Sequence, residues 1–189
     1  MRMNALMRPL WEAGEVDDPA ALHESPSLPG ELRDLIDRGW RVGPAGALLL
    51  DGCYGDGSGW RSDWAEGEIA RHEFAVNDVG VPSDDLPPAR EEFLRAAVAR
   101  SREFAVAALS AAHGMPASDS LVAVVSVGVD DDFLMHGATV KFGTERGGFP
   151  EAYAELERFR FEAMAVVAVL DAHGGPGPDG GSSGRPGSP

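Results

Sequence analysis

Three consecutive carboxylates, Asp130, Asp131 and Asp132, stand between two apolar runs in LVAVVSVGVDDDFLMHGATVKF, residues 121–142. Carboxylate oxygens suit hard divalent cations. Three neighbours on one tight turn cannot all face a single ion, and the alternating acids and later Glu of a calcium loop are missing. The triplet therefore reads as a solvated turn. The same stretch carries His136 and Lys141, the single lysine of the chain. An imidazole beside a carboxylate can move protons, but no partner for His136 is visible in the sequence, which favours a structural histidine. His72 and Glu73 in ARHEFA invite comparison with HExxH, yet position 76 is Val76 and the zinc motif fails. Cys53, the only cysteine, lies in the acidic, Gly-rich LLLDGCYGDG. A nucleophilic thiolate wants an electropositive setting, so Cys53 reads as a small apolar filler. No GxSxG, phosphate-binding loop or dinucleotide fingerprint stands at a strand–helix junction. No catalytic residue, metal or cofactor is expected.

The remaining unusual residues are Trp11, Trp40, Trp60 and Trp64, all in the first third of the chain. Tryptophan is enriched at binding hot spots. It is also mostly buried wherever it occurs, so these four could equally form core beneath the N-terminal segment.

The elements that must position these residues follow from periodicity. Residues 1–30, rich in Pro, Gly and acids from position 9 on, read as an extended arm held down by Leu10 and Trp11. Leu32, Leu35 and Ile36 share one face of a helix over 31–38, with Gly39 as its stop. Three strands over 42–53, 59–64 and 68–76 form an antiparallel meander. The last places Ala70, His72, Phe74 and Val76 on one side, and Trp60 and Trp64 share a side of the second. A helix over 63–75 competes with that last strand, with Gly67 as its main flaw. Residues 77–88 read as a loop. A long helix spans about 87–113, through Phe93, Leu94, Ala97, Val98, Phe104, Ala108 and Leu109. The valine-rich run at 121–129 and the run ending at Phe142 make a β-hairpin across the acidic turn. Pro150 starts a last helix whose second half, Phe161–Leu170, is apolar nearly all round and should be buried. Residues 174–189, nearly all Gly, Pro and Ser, read as a disordered tail.

The expected fold is thus α+β: a three-strand meander plus a hairpin, packed against a long central helix and a C-terminal helix, in the order α-β-β-β-α-β-β-α, within one domain over 31–173. That order is similar to the order of elements in small acidic secretion chaperones, a likeness of fold order that no sequence motif carries.

Composition narrows the function. The chain has 189 residues, is 43% hydrophobic and carries a formal charge of −15 from 31 acids and 16 bases. It can build a real core and should not be disordered as a whole. The negative charge is spread over the body rather than held in a tail, which repels phosphate backbones and argues against nucleic acid. It steers towards basic partners. The N-terminus lacks the apolar core of a signal peptide, and no apolar run is long enough to cross a bilayer. These features suggest a cytoplasmic, non-enzymatic binding protein of chaperone, immunity or adaptor type. A basic protein or peptide would meet Trp60 and Trp64, or the turn Asp130–Asp131–Asp132. Two alternatives stand beside it. One is a small enzyme of unrecognised type, for example a metal-assisted hydrolase using His72, His136 and a carboxylate. The other is a small-ligand or regulatory domain whose C-terminal helix lines a cavity.

Overall fold

The computed structural model describes residues 1–13, 28–53, 60–129, 136–148 and 150–169. Among the described residues, seven strands and four α-helices follow the order β1 (Arg2–Met3), α1 (Met7–Ala13), α2 (Gly30–Arg38), β2 (Trp40–Val42), β3 (Leu48–Leu50), α3 (Glu66–Val76), β4 (Asp78–Val81), α4 (Arg90–Ala111), β5 (Leu121–Val129), β6 (His136–Thr144) and β7 (Glu162–Ala168). Five strands make one antiparallel sheet ordered β1-β7-β5-β6-β4, and β2 and β3 make a separate two-stranded sheet. The fold class is α+β, as expected. No helix is long and apolar enough to cross a membrane among the described residues.

The hairpin and the long helix form where their patterns place them. β5 and β6 pair from Leu121–Thr144 to Val129–His136. Leu121, Ala123, Val125 and Val127 alternate onto the main core with Ala138, Val140 and Phe142. The 3.6-residue stripe of α4, through Phe93, Ala97, Phe104 and Ala108, covers that face. Trp40 closes one end, its indole edge-on to Phe142 at 5.3 Å and its Nε1 donating to the Ala108 carbonyl at 2.7 Å.

Five expectations are corrected. Residues 66–76 are helix, not the third meander strand. The alternation of Ala70, Phe74 and their neighbours satisfies a period of two by coincidence, while Ile69, Ala70, Glu73 and Phe74 are the residues buried. Gly67 is the site of closest approach rather than a flaw: a Cβ there would lie 2.7 Å from the Gly147 carbonyl oxygen. The second meander strand is also absent, because residues 60–65 run as turn and coil into α3. The C-terminal helix is replaced by two short 3-10 turns, Glu151–Tyr153 and Leu156–Arg158, and then by β7. β7 lies between β1 and β5, so Ala163, Ala165 and Val167 face one core while Met164 and Val166 face another. A strand buried on both faces reads as an unbroken apolar run, which periodicity cannot tell from a buried helix. Finally, the loop expected at 77–88 contains β4, and the arm expected over 1–30 contains β1 and α1, whose Met7 and Trp11 are buried.

Side chains join the two sheets. Glu73 and Asn77, one turn apart along and just beyond α3, are both fully buried. Glu73 accepts from the backbone N–H groups of Leu48 and Thr144 (2.8 Å each), from the Thr144 hydroxyl (2.5 Å) and from Arg146 Nη2 (2.5 Å). The Asn77 amide accepts from Leu50 N (2.9 Å) and donates to the carbonyls of Leu48 (2.9 Å) and Phe142 (3.2 Å). With Cys53 N donating to the Leu50 carbonyl, every outward backbone group of Leu48 and Leu50 is satisfied. Asn4 plays a similar part at the other edge. Its amide donates to the carbonyls of Phe159 and Glu162 and accepts from Met7 N and Met164 N, capping α1 onto β7.

Candidate functional site

Helix α3 has two inward stripes. Ala70, Glu73 and Phe74 turn to the main sheet, where a Cβ on Gly143 would collide with the Phe74 ring at 2.6 Å. Ile69, His72 and Val76 turn the other way, towards Ala47 and Leu49 of the small sheet. Trp60 and Trp64 settle on this second stripe. Their rings are 5.4 Å apart, and each packs edge-on against the His72 imidazole, at 4.6 and 4.7 Å. All three side chains are half-buried. The two tryptophans therefore meet, as their spacing suggested, although on the turn and coil that lead into α3 rather than on a strand.

Three carboxylates lie close to the cluster in sequence. Asp63, Glu66 and Glu68 are exposed. Asp63 accepts from Nε and Nη2 of Arg61 (2.9 and 2.7 Å), which keeps its carboxyl below the usual range. Glu68 caps α3 by accepting from Ala65 N at 2.9 Å. Glu66 and Glu68 both lie in the first turn, where the helix dipole favours negative charge. The arrangement is an aromatic patch with an acidic margin, suited to the aliphatic stem and charged head of Lys or Arg.

The other expected contact, Asp130, Asp131 and Asp132, lies outside the described residues. His136, at the start of β6, packs edge-on against Phe93 of α4 at 4.8 Å. His72 neighbours Glu73, which bonds Thr144 at the far end of the same strand. Eight residues of strand, about 26 Å at the usual rise, separate the two ends, so His72 and His136 do not share a site. Among the described residues no three His, Cys, Asp or Glu side chains gather as metal ligands. Cys53 is half-buried, and burial, with the Asp78 carboxylate, pushes its thiol up, which disfavours the nucleophilic thiolate. The cavity-lining C-terminal helix of the ligand-domain alternative is instead the sheet strand β7.

A second feature escaped the sequence. The sheet face opposite α4 is only partly covered, by Phe74, Leu156, Tyr153 and Phe159. Beside that cover lies a recess of about 110 Å³. Val124 and Met164 form its floor, Ser126, Thr139 and the Lys141 stem its sides, and Tyr153, Phe159 and Glu162 its rim. The Ser126 hydroxyl donates to Glu162 Oε2 at 2.6 Å. Lys141 Nζ donates to Asp78 at 2.6 Å, and that hydrogen bond holds the ammonium pKa above its ordinary value. The alternation of Ser126 with valines and of Thr139 with Lys141 was the available signal. Glu162 was hidden by reading its segment as helix. A broader hollow of about 490 Å³ lies between β1 and residues 154–160, where Arg2 pairs with Glu145 at 2.6 Å.

Comparison with known proteins finds no family model, no curated protein and no solved structure that matches the chain.

Proposed function

We propose that this protein is a non-enzymatic, cytoplasmic binding module that holds a basic protein or peptide on an acidic, partly aromatic surface centred on Trp60 and Trp64. The observation that carries the reading is the half-buried Trp60–Trp64–His72 cluster with Asp63, Glu66 and Glu68 close to it in sequence. Two large rings held at the surface supply contact area at low entropic cost. The formal charge of −15 supports the choice of a basic partner, since it raises the encounter rate with cations. The turn Asp130–Asp131–Asp132 remains a second proposed contact.

The test is affinity capture with the tagged full chain from the cells that make it, at low and at high salt, beside Trp64→Ala. A dominant basic partner that is retained at low salt, weakened at high salt and lost with Trp64→Ala supports the reading. Capture that is indifferent to salt and to Trp64 refutes it, as does the absence of any basic partner.

A further inference from the structure

We propose that the recess over β5, β6 and β7 is an anchor pocket for one arginine side chain of the partner, an inference that rests on the reading of the chain as a binder of basic protein. The pocket is small. Sites for cofactors and drug-sized ligands run to roughly 300–1,000 Å³, whereas this one is about 110 Å³, room for the head of a single side chain.

Its chemistry selects that head. Glu162 Oε1 has no hydrogen bond among the described residues, because Ser126 engages only Oε2. Ser126 donates its one proton to Glu162, so its oxygen is left as an acceptor towards the recess. The Thr139 hydroxyl has no hydrogen bond among the described residues. Among the described residues the only cation in the lining is Lys141, and its ammonium is engaged by Asp78. The recess spans β7, β5 and β6, while Asp78 sits on β4, across β6 from it. Asp78 and Lys141 are directly paired, and the 2.6 Å contact draws the ammonium towards β4. Lys141 thus brings to the recess a stem and a charge already balanced by Asp78. Acceptors, one unneutralised carboxylate and aromatic surface remain, and they call for a cation rich in donors.

Guanidinium answers that description better than ammonium. It is planar, forks onto a carboxylate, stacks on aromatic rings and is the more weakly hydrated ion. Tyr153 and Phe159, nearly parallel at 25° with centroids 6.2 Å apart, supply the ring surface. The place is also consistent. Tyr153 touches Phe74 of α3 at 5.8 Å, and His72, on the opposite side of that helix, carries the tryptophan pair. The pocket and the aromatic patch thus flank one helix and can serve one bound segment.

The test compares labelled oligo-arginine and oligo-lysine peptides of equal length by fluorescence anisotropy. The proteins are the unaltered chain, Glu162→Gln, Thr139→Phe and Trp64→Ala. Thr139→Phe fills the pocket on a solvated strand face, where an aromatic residue is well tolerated, and so guards against a folding defect in Glu162→Gln. The expected result is about tenfold tighter binding of oligo-arginine, one charge-assisted hydrogen bond's worth. Both pocket variants should abolish that preference and leave oligo-lysine binding within about twofold. Trp64→Ala should weaken both peptides. Equal binding of the two peptides by the unaltered chain, still sensitive to Trp64, overturns the arginine pocket and leaves the basic-partner reading standing. A preference that survives both pocket variants also overturns the pocket. Binding of neither peptide overturns both proposals.

Discussion

Replacing Glu73 should be the most damaging single change in the molecule. The carboxylate is fully buried and receives four hydrogen bonds. Glu73→Ala strands the N–H groups of Leu48 and Thr144, both in residues with no exposure, at about 1–3 kcal/mol each. It also takes the counter-charge from Arg146, whose side chain is only 18% exposed and keeps just the Gly46 carbonyl at 3.1 Å. Breaking one side of a buried pair costs about 3–5 kcal/mol. These contributions overlap, so the expected total is about 4–6 kcal/mol, close to the whole stability of many domains. Glu73→Gln keeps the shape and one acceptor oxygen but turns an NH₂ towards one of the donors, at an expected cost of about 2–3 kcal/mol. Urea titration followed by far-ultraviolet circular dichroism, with the slope checked for constancy, measures both. The reasoning is refuted if Glu73→Gln lies within about 0.5 kcal/mol of the unaltered protein, the range of an ordinary surface substitution. A cycle with Arg146→Met should show coupling of about 1–3 kcal/mol, as groups in one network do.

Gly143→Ala drives a methyl group against the Phe74 ring and should cost about 1–3 kcal/mol in the same titration. Asn4→Ala removes the α1 cap and three ties to residues 159–164. It should cost about 2–4 kcal/mol and make the first thirteen residues a preferred target for limited proteolysis. Arg100, fully buried, holds Asp85 through two 2.7 Å contacts and depresses its carboxyl pKa. A depressed folded-state value means a contribution present above the ordinary pKa and lost as pH falls through the folded one. The gap in urea midpoint between the unaltered protein and Asp85→Asn should therefore be full at neutral pH and close below about pH 4. Cys53, with its raised thiol, should react with iodoacetamide at neutral pH more slowly than a cysteine peptide, and at the peptide's rate in urea.

The parts of the fold legible in the sequence are those where one period dominates. α4 carries a long helical stripe, and β5 and β6 each alternate along their length. The illegible parts are those where burial erased the period or chance imitated another. β7 is buried on both faces, so its Ala, Val and Met residues form a run with no stripe. α3 sits between two sheets and buries two stripes, which blurs its helical pattern into an alternation. Gly67, counted against a helix, is there because the backbone at Gly147 comes within reach. The meeting of Trp60 with Trp64 could be anticipated from spacing. The third ring, His72, could not, because it depends on α3 being a helix. The arginine pocket depends on register: Ser126 meets Glu162 only because β7 pairs with β5 in one alignment, and no pattern within a single segment encodes that.

The join between the sheets bears on how this protein behaves when crowded. β3 is a short run of leucines with its outer edge finished by the side chains of Glu73 and Asn77 rather than by a neighbouring strand. An edge finished in this way offers no ladder to another molecule. Side-chain contacts can be released by a small outward swing of α3, whereas a strand ladder must unzip along its length. Such a swing bares an extended, uncharged segment, Ala47–Leu50, of the kind that templates intermolecular β-structure. Helix α3 thus covers that edge as well as supporting the aromatic patch. Substitutions at Glu73 or Asn77 should therefore bring concentration-dependent aggregation along with the loss of stability.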